Sequence, residues 1–526
     1  MIRLTRHSQR VASAAVLLHC LLLLPAWSKD ATKQTEMTTG TNPLPSPIDA
    51  VVRSSPECNA TRAGDKSREV IYATELRYGN DPFFLGPRGR IFNSCLVNPK
   101  PWQKANLYPD LQATYWIGAL KLPAGAVLSI NGQYPHARYF GVALYRKEGN
   151  NIIATDQALI DEQLQPDPGS TNPYRVGADR LSNRRNFTLR IAAKDVPANK
   201  DQVEANTLYA GSAGGIVSYV LRVYLPDVGY DGSGWQKLAE PSPGRGLPTY
   251  AATLADGTTL TMEEVNNQLI QPMGSSPPGM SDSQWEALIA SAPKNDPQLT
   301  VETAPARNPA RWEKYFSTEY SFIGAFLSPM QRAKIPFAAS TGFGGDPGTQ
   351  YFVSFLSRRF GPVYVFRGKM PRFPNTYDGG NGKGLAVMPD AQLRYWSIIL
   401  SQAPPVGTGG EALTDMQVPL DANGNYTIVV SRPEDRPANA TAENGIAWVN
   451  WGPGEGLDNA RNRKDFGMIL MRFIHPDPQW AQSPSNVVVP GTEATVMGPY
   501  YPRGTYTDKA SLEARGPEII QSLEPR

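Results

Sequence analysis

The sequence predicts a mostly β protein: two tandem jelly-roll-like antiparallel β-sandwiches with a partly helical connecting segment. Three observations carry that reading. The chain contains itself twice, since Tyr115 to His136 aligns without a gap on Tyr351 to Arg372, placing Gly125, Val127, Gly132 and Pro135 on Gly361, Val363, Gly368 and Pro371. Later blocks keep the same order: Arg138-Tyr139-Phe140 answers to Arg394-Tyr395-Trp396, Asn186-Phe187-Thr188-Leu189 to Asn425-Tyr426-Thr427-Ile428, and Leu221-Arg222-Val223 to Met471-Arg472-Phe473. A duplicated unit of this size is two copies of one domain. Within each copy, short apolar runs of alternating pattern are separated by turn residues, with no helical period between them. Finally, 47 glycines and 48 prolines are scattered between those runs instead of being massed in one tract, as many short strands and turns require.

Taken in order, the chain opens with Arg3, Arg6 and Arg10, then the apolar run Val11 to Leu24 and the small residues around Ala26-Trp27-Ser28. Residues 1–28 read as a secretory signal peptide, too short and wrongly flanked for a membrane span. No second long apolar segment follows, so the expected location is secreted or periplasmic, without stable membrane insertion. Residues 29–56 are rich in Thr, Pro and Ser and read as a flexible leader. An N-terminal segment, 57–112, carries Cys58 and Cys95, an even pair once Cys20 is removed with the signal. In an oxidising compartment they are expected to form one disulfide, contributing roughly 3–4 kcal/mol through loop entropy. Asn-x-Thr sequons stand at Asn59, Asn186, Asn425 and Asn439.

The first β-sandwich repeat spans 113–228. Val127 to Ile130 reads as a strand entering a tight turn at Asn131-Gly132. Tyr139 to Tyr145 and Phe187 to Ile191 are further strands, and Val217 to Leu225 is the last, stopped by Pro226. Residues 229–344 form the partly helical connector. Thr261-Met262-Glu263-Glu264 has capping-box spacing ahead of Val265 and Leu269, Ser283-Gln284-Trp285-Glu286 repeats it, and Ala310 to Phe316 reads as a third helix. A connection this long exceeds what joining two sandwiches requires, which makes it a candidate functional element. The second repeat spans 345–480, with an extra loop at Asn375 to Gly382, and residues 481–526 are a C-terminal tail.

The second repeat resembles a family of exported bacterial envelope proteins defined only as a domain of unknown function. The residues that carry the likeness are Tyr395-Trp396-Ser397, Asn423-Gly424-Asn425-Tyr426-Thr427-Ile428, Asn450-Trp451-Gly452-Pro453, and Met471-Arg472-Phe473 with Pro476. The first repeat carries the pattern more weakly, and Gly452 and Met471 depart from it. The resemblance implies a jelly-roll-like fold in exported proteins and no established reaction.

Chemistry is constrained by what is scarce. Fifty-one basic residues against 48 acidic ones leave a net charge of +3 with no basic stripe, so nucleic acid is not an expected partner. Beyond the signal only His136 and His475 remain, in different places of their repeats, too few for a histidine-metal centre. No metal or other cofactor is expected, and Asp378 among its glycines is the best position for a calcium ion were one bound. Leu159-Ile160-Asp161-Glu162-Gln163 aligns on Leu413-Thr414-Asp415-Met416-Gln417. Asp161 and Glu162 form a candidate carboxylate pair for acid–base work on a glycan in a metal-independent hydrolase or lyase. The plainer reading gives each repeat one Arg–Asp pair inside its own sandwich, from Arg138, Arg394, Arg222 and Arg472 with Asp161 and Asp415. The aromatics Trp396, Trp448, Trp451 and Tyr395, with Arg394, are candidate ligand-binding residues, where the first copy has Phe140, Leu208, Gly211 and Tyr139. Exposed, they would stack on sugar rings or an apolar envelope ligand; buried, they are core. A glycan or envelope ligand is the expected partner.

Overall fold

In the computed structural model, Asp110 and residues 112–524 are described, apart from 149–150, 213–214, 228, 231–233, 236, 238–247, 272–281, 338–347, 375–390, 402–408 and 453–464. The signal peptide, the leader, Cys58, Cys95, Asn59 and Asp378 lie outside the described residues.

The chain is mostly β and forms two sandwiches. Ten strands build the first: β1 (Ala113–Leu122), β2 (Val127–Gln133), β3 (Ala137–Glu148), β4 (Asn151–Ile160), β5 (Asn186–Ala192), β6 (Thr207–Tyr209), β7 (Gly215–Pro226), β8 (Thr249–Thr253), β9 (Thr259–Leu260) and β10 (Ile270–Gln271). One sheet runs β10-β1-β7-β3-β4 and the other β6-β5-β2-β8-β9. Nine more build the second: β11 (Glu313–Lys314), β12 (Thr349–Ser357), β13 (Val363–Lys369), β14 (Tyr395–Ser401), β15 (Gly409–Thr414), β16 (Asn425–Ser431), β17 (Ala447–Asn450), β18 (Phe466–Ile474) and β19 (Arg503–Thr507). Their sheets run β11-β12-β18-β14-β15 and β17-β16-β13-β19. The orders superpose strand for strand along the duplicated blocks. In both sandwiches one pair is parallel, β5 with β6 and β16 with β17, in sheets otherwise antiparallel.

Each sandwich draws strands from beyond the repeat bounds read in the sequence. β8 comes from the connector and β19 from the tail, and they take equivalent places: Val127 faces Thr253 and Val363 faces Thr507. The duplicated unit is therefore longer than its aligned blocks, because β8 and β19 share a pairing that their sequences do not show.

Alternation along the strands builds the cores. Trp116, Leu128, Ile130, Val142, Leu189, Leu221 and Val223 fill the first, and Phe352, Phe366, Trp396, Ile398, Ile428, Met471 and Phe473 the second. Met468 and Leu470 point the other way, yet are buried under Trp285 and Ile289 of the helix Asp282–Asn295. That covering explains why β18 is apolar on both faces.

Two local expectations change and one holds. Asn131-Gly132 lies inside β2 and makes no turn; a Cβ on Gly132 would sit 2.8 Å from Pro248 and 3.3 Å from Phe187. Its counterpart Gly368 is pressed in the same way by Tyr426, the counterpart of Phe187. Both glycines are required for close approach of a ring. Thr261 does cap its helix, Met262–Gln268, with the reciprocal Glu264 bond. Ala310 to Phe316 is extended instead of helical: Trp312, Lys314 and Phe316 are buried in alternation, and β11 pairs with β12. Period-two burial against a sheet edge outweighs helix propensity there.

A Cβ on Gly368 would meet the Tyr426 phenol oxygen at 2.6 Å, and that oxygen is buried without a hydrogen bond among the described residues. Gly368→Ala is expected to destabilise by about 1–3 kcal/mol through overpacking. In a Tyr426→Phe background the cost should shrink, as read by urea unfolding of the four proteins.

Candidate functional site

The recurring arginines and aspartates meet where the two sandwiches press their β1-β7-β3 and β12-β18-β14 faces together. Asp161 follows β4, and its Oδ2 accepts the Phe140 N–H at 3.0 Å; Asp415 follows β15, and its Oδ2 accepts the Trp396 N–H at 2.9 Å. Each aspartate is thus seated by its own repeat. The arginines, however, are exchanged. Arg394 of the second repeat donates from Nη1 to both oxygens of Asp161 at 2.6 Å, and Arg138 of the first donates to Asp415 at 2.6 Å. All four side chains are fully buried. Burial pushes both carboxyls up from the usual range, and the facing arginine opposes it. The expectation of one Arg–Asp pair inside each sandwich is corrected: each arginine crosses the seam, because the ends of β3 and β14 face the opposite sandwich.

Between the two pairs lies Asp110. It accepts from Tyr395 Oη at 2.9 Å and Ser397 Oγ at 2.6 Å, with Arg472 at 3.8 Å. Tyr395 also packs against Tyr224 at 5.5 Å between ring centroids. Asp110 was not singled out by sequence, since it stands outside the duplicated blocks.

Glu162 and Asp161 therefore part company. Asp161 has both oxygens occupied, the second by the Glu162 N–H at 2.7 Å as well as Arg394. Glu162 keeps 36 % of its side-chain surface, with Arg394 Nη2 at 3.4 Å and His475 Nε2 at 3.0 Å. The hydrogen bond to His475 holds its carboxyl below the usual range against the opposing effect of burial. His475 reaches it from a left-handed backbone (φ 49°), and the same corner in the first repeat is left-handed at Leu225 (φ 48°). The two carboxylates do not form a matched catalytic pair around an open space.

The tryptophans divide as well. Trp396 and Trp451 are buried in the second core, and Trp451 Nε1 donates to the Phe466 carbonyl at 3.1 Å. Neither offers a face to a ligand. Trp448 is half-buried, donates to Ser431 Oγ at 2.9 Å and lies under the Arg436 guanidinium at 4.5 Å. The sheet register pairs Val429 with Trp448 and Arg190 with Thr207, so Thr207, and not Leu208, is its counterpart. That one-residue difference turns Trp448 to the outside. Of the sequons, Asn425 is buried against Asp421 and Asn439 donates to the Leu512 carbonyl at 2.9 Å, while Asn186 is exposed.

A second cluster lies in the first repeat. His136 stacks on Tyr230 at 4.2 Å and receives Arg185 Nη1, 2.6 Å from Nε2, beside the buried Arg180–Asp227 pair at 2.5 Å. Burial, with the guanidinium of Arg185 next, brings the His136 imidazole down to about 2.

Among the described residues, open space lies between the connector, the second sandwich and the tail. Lys314 of β11 anchors the tail by donating to the carbonyls of Pro484 at 3.0 Å and Val487 at 2.9 Å, and burial brings its amine down to about 8. Beside it a cavity of about 230 Å³ is lined by Arg307, Arg311, Glu313, Tyr320, Arg332 and Glu493. Arg332 grips Glu313 through both terminal nitrogens, at 2.9 and 2.6 Å, and burial pushes Glu493 up. A wider cavity of about 410 Å³ shares Arg307 and Arg311 and is walled on the far side by Tyr501, Pro502, Arg503 and Gly504. Together they make one groove. Sequence reasoning marked the connector and missed these residues, which belong to no repeat block and no motif.

The architecture defines a tandem β-sandwich protein whose halves are locked by exchanged ions. No family model and no curated protein matches the chain. Among solved structures it is similar to an uncharacterised protein from Burkholderia cenocepacia, at 10% identity and a TM-score of 0.39, covering 89% of this chain and 96% of that one. It is also similar to a protein from Vibrio parahaemolyticus, at 13% identity and a TM-score of 0.33, covering 88% and 98%.

Arg138→Met is expected to cost about 3–5 kcal/mol, because it leaves Asp415 buried and unpaired. Adding Asp415→Asn should recover part of that loss in a double-mutant cycle read by urea unfolding. His136 generates a pH dependence. An unfolded histidine titrates near 6.5, so from there down towards 2 the unfolded chain binds a proton that the native one refuses. Stability should fall as pH falls through that window, and His136→Gln should flatten the slope of unfolding free energy between pH 4 and 6.

Proposed function

We propose that the protein is an exported binding protein for a glycan of the cell envelope, held in the groove between the connector, the second sandwich and the tail. The observation that carries this reading is the pair of adjoining cavities, about 230 and 410 Å³, joined through Arg307 and Arg311. Spaces of that size accept a few sugar rings. Their walls combine the rings of Tyr320 and Tyr501 with prolines, guanidiniums and the amides of Gln298 and Asn308, the mixture that pairs with the faces and hydroxyls of a saccharide. The signal-like N-terminus and the resemblance of the second repeat to exported envelope proteins support the setting.

The buried state of Asp161 argues against the hydrolase that uses it with Glu162. A general acid or base must reach the proton it moves, and Asp161 has no surface and no free oxygen.

Binding of an envelope oligosaccharide panel, followed by calorimetry on the mature protein, tests the reading. Ala333 is exposed on the groove wall, so Ala333→Trp fills the space without touching the core. Ala333→Trp should abolish binding, and Glu162→Gln should bind as the parent does. Turnover of any panel member that Glu162→Gln abolishes and Ala333→Trp leaves intact would replace this reading with the hydrolase.

A further inference from the structure

Arginines of the second half are, as a rule, spoken for. Arg307 pairs with Asp296, Arg332 with Glu313, Arg358 with Asp435, Arg367 with Asp421 and Glu524, and Arg394 with Asp161. Arg311 and Arg503 differ. Neither side chain has a hydrogen bond or a salt bridge among the described residues, and both line the wider cavity. They come from separate elements, Arg311 from the extended run before β11 and Arg503 from the first position of β19. No carboxylate lines that cavity. Asp296, which Arg307 holds at 2.7 Å, also feels the charge of Arg311, but it stands outside the lining, so the cavity wall itself carries three guanidiniums and no carboxylate.

The fold shows how this feature arises in the second half. In the first sandwich β9 pairs with the free side of β8, whereas among the described residues no strand lies outside β19. The start of that bare strand, Arg503-Gly504, walls the cavity. At the opposite end of the groove the character reverses: Glu313 and Glu493 line the smaller cavity, where they can accept hydrogen bonds from hydroxyls.

Resting on the proposed binding role, we infer that this groove selects an acidic saccharide: its anionic substituent sits between Arg311 and Arg503, and the neutral hydroxyls of the following sugar lie towards Glu313 and Glu493. Two unpaired guanidiniums in a partly enclosed site supply charge-assisted, bidentate bonds to a carboxylate or sulfate. The amides of Gln298 and Asn308 and the Tyr501 hydroxyl supply donors and acceptors for ring hydroxyls, which favours a sugar over an acidic peptide.

The test uses the full mature chain and five probes in calorimetry: trigalacturonate, its methyl ester, a neutral galactose trisaccharide, a sulfated galactose trisaccharide and a tetraglutamate peptide. Trigalacturonate or the sulfated sugar should bind at least about ten-fold tighter than the ester and the neutral sugar; which of the two wins names the anion. Arg311→Gln and Arg503→Gln should each erase that preference and leave ester binding unchanged. Both sites are at the surface or half-buried, so folding should persist, checked by circular dichroism. Equal binding of acid and ester that Ala333→Trp abolishes would overturn the acidic class and leave the binding role standing. Tetraglutamate binding as tightly as the acidic sugars would overturn the saccharide assignment. No binding by any sugar would sink both readings.

Discussion

Two buried ion pairs, Arg394 with Asp161 and Arg138 with Asp415, govern how the rest of this molecule is arranged. Taking four charges out of water is expensive, and the geometry that compensates is demanding: each aspartate needs a backbone N–H from its own repeat and a guanidinium from the other. Neither sandwich can satisfy that requirement alone. The outward faces of two sheets, which in an isolated sandwich would meet water, are therefore committed to each other. The tyrosines of β1, β7 and β14, together with Asp110, fill what remains between the pairs.

The symmetry of that seam frees the remaining surfaces to diverge. In the second half the helix Asp282–Asn295 covers the outer face of β18, the tail is fastened to β11 by Lys314, and β19 has no outer neighbour among the described residues. In the first half β9 and β10 take edges, and the loop between β4 and β5 carries Arg180, which pairs with Asp227 just after β7, and His136's partner Arg185. Copies that share a core by descent differ where their connections run, and the groove follows those differences. This is how a duplicated scaffold can carry a groove in one half that the other half need not share.

Much of the fold was legible. The gapless alignment of Tyr115 to His136 on Tyr351 to Arg372 placed β1, β2 and their counterparts, and the Thr261 capping box placed its helix. The recurrence of Arg138, Asp161, Arg394 and Asp415 identified the ions that matter. What periodicity could not say is which copy each arginine would reach, because spacing within a repeat carries no information about the partner across an interface. Gly132 looked like a turn because glycine suits both positive φ and ring contact. Trp396 and Trp451 looked like a possible stacking surface because strand alternation does not reveal that both faces of a sheet are covered. The groove was the least legible part. Arg311 and Arg503 are 192 positions apart, stand outside the aligned blocks, and come together only through the pairing of β19 with β13.

The exchanged arginines also set a hazard for assembly. Arg394 lies 233 positions from its aspartate and Arg138 lies 277 from its own. Two chains at high concentration hold the same complementary halves, and a first half can dock on the second half of a neighbour with every buried charge satisfied. Nothing in the ions distinguishes self from other; proximity through the connecting segment does, by raising the local concentration of the correct half. Lengthening that segment, or crowding newly made chains, shifts the balance towards swapped dimers and open-ended strings, the failure characteristic of tandem repeats. The connection of some hundred residues, with its helix pinned across β18, acts in this sense as a tether that favours pairing between halves of the same chain.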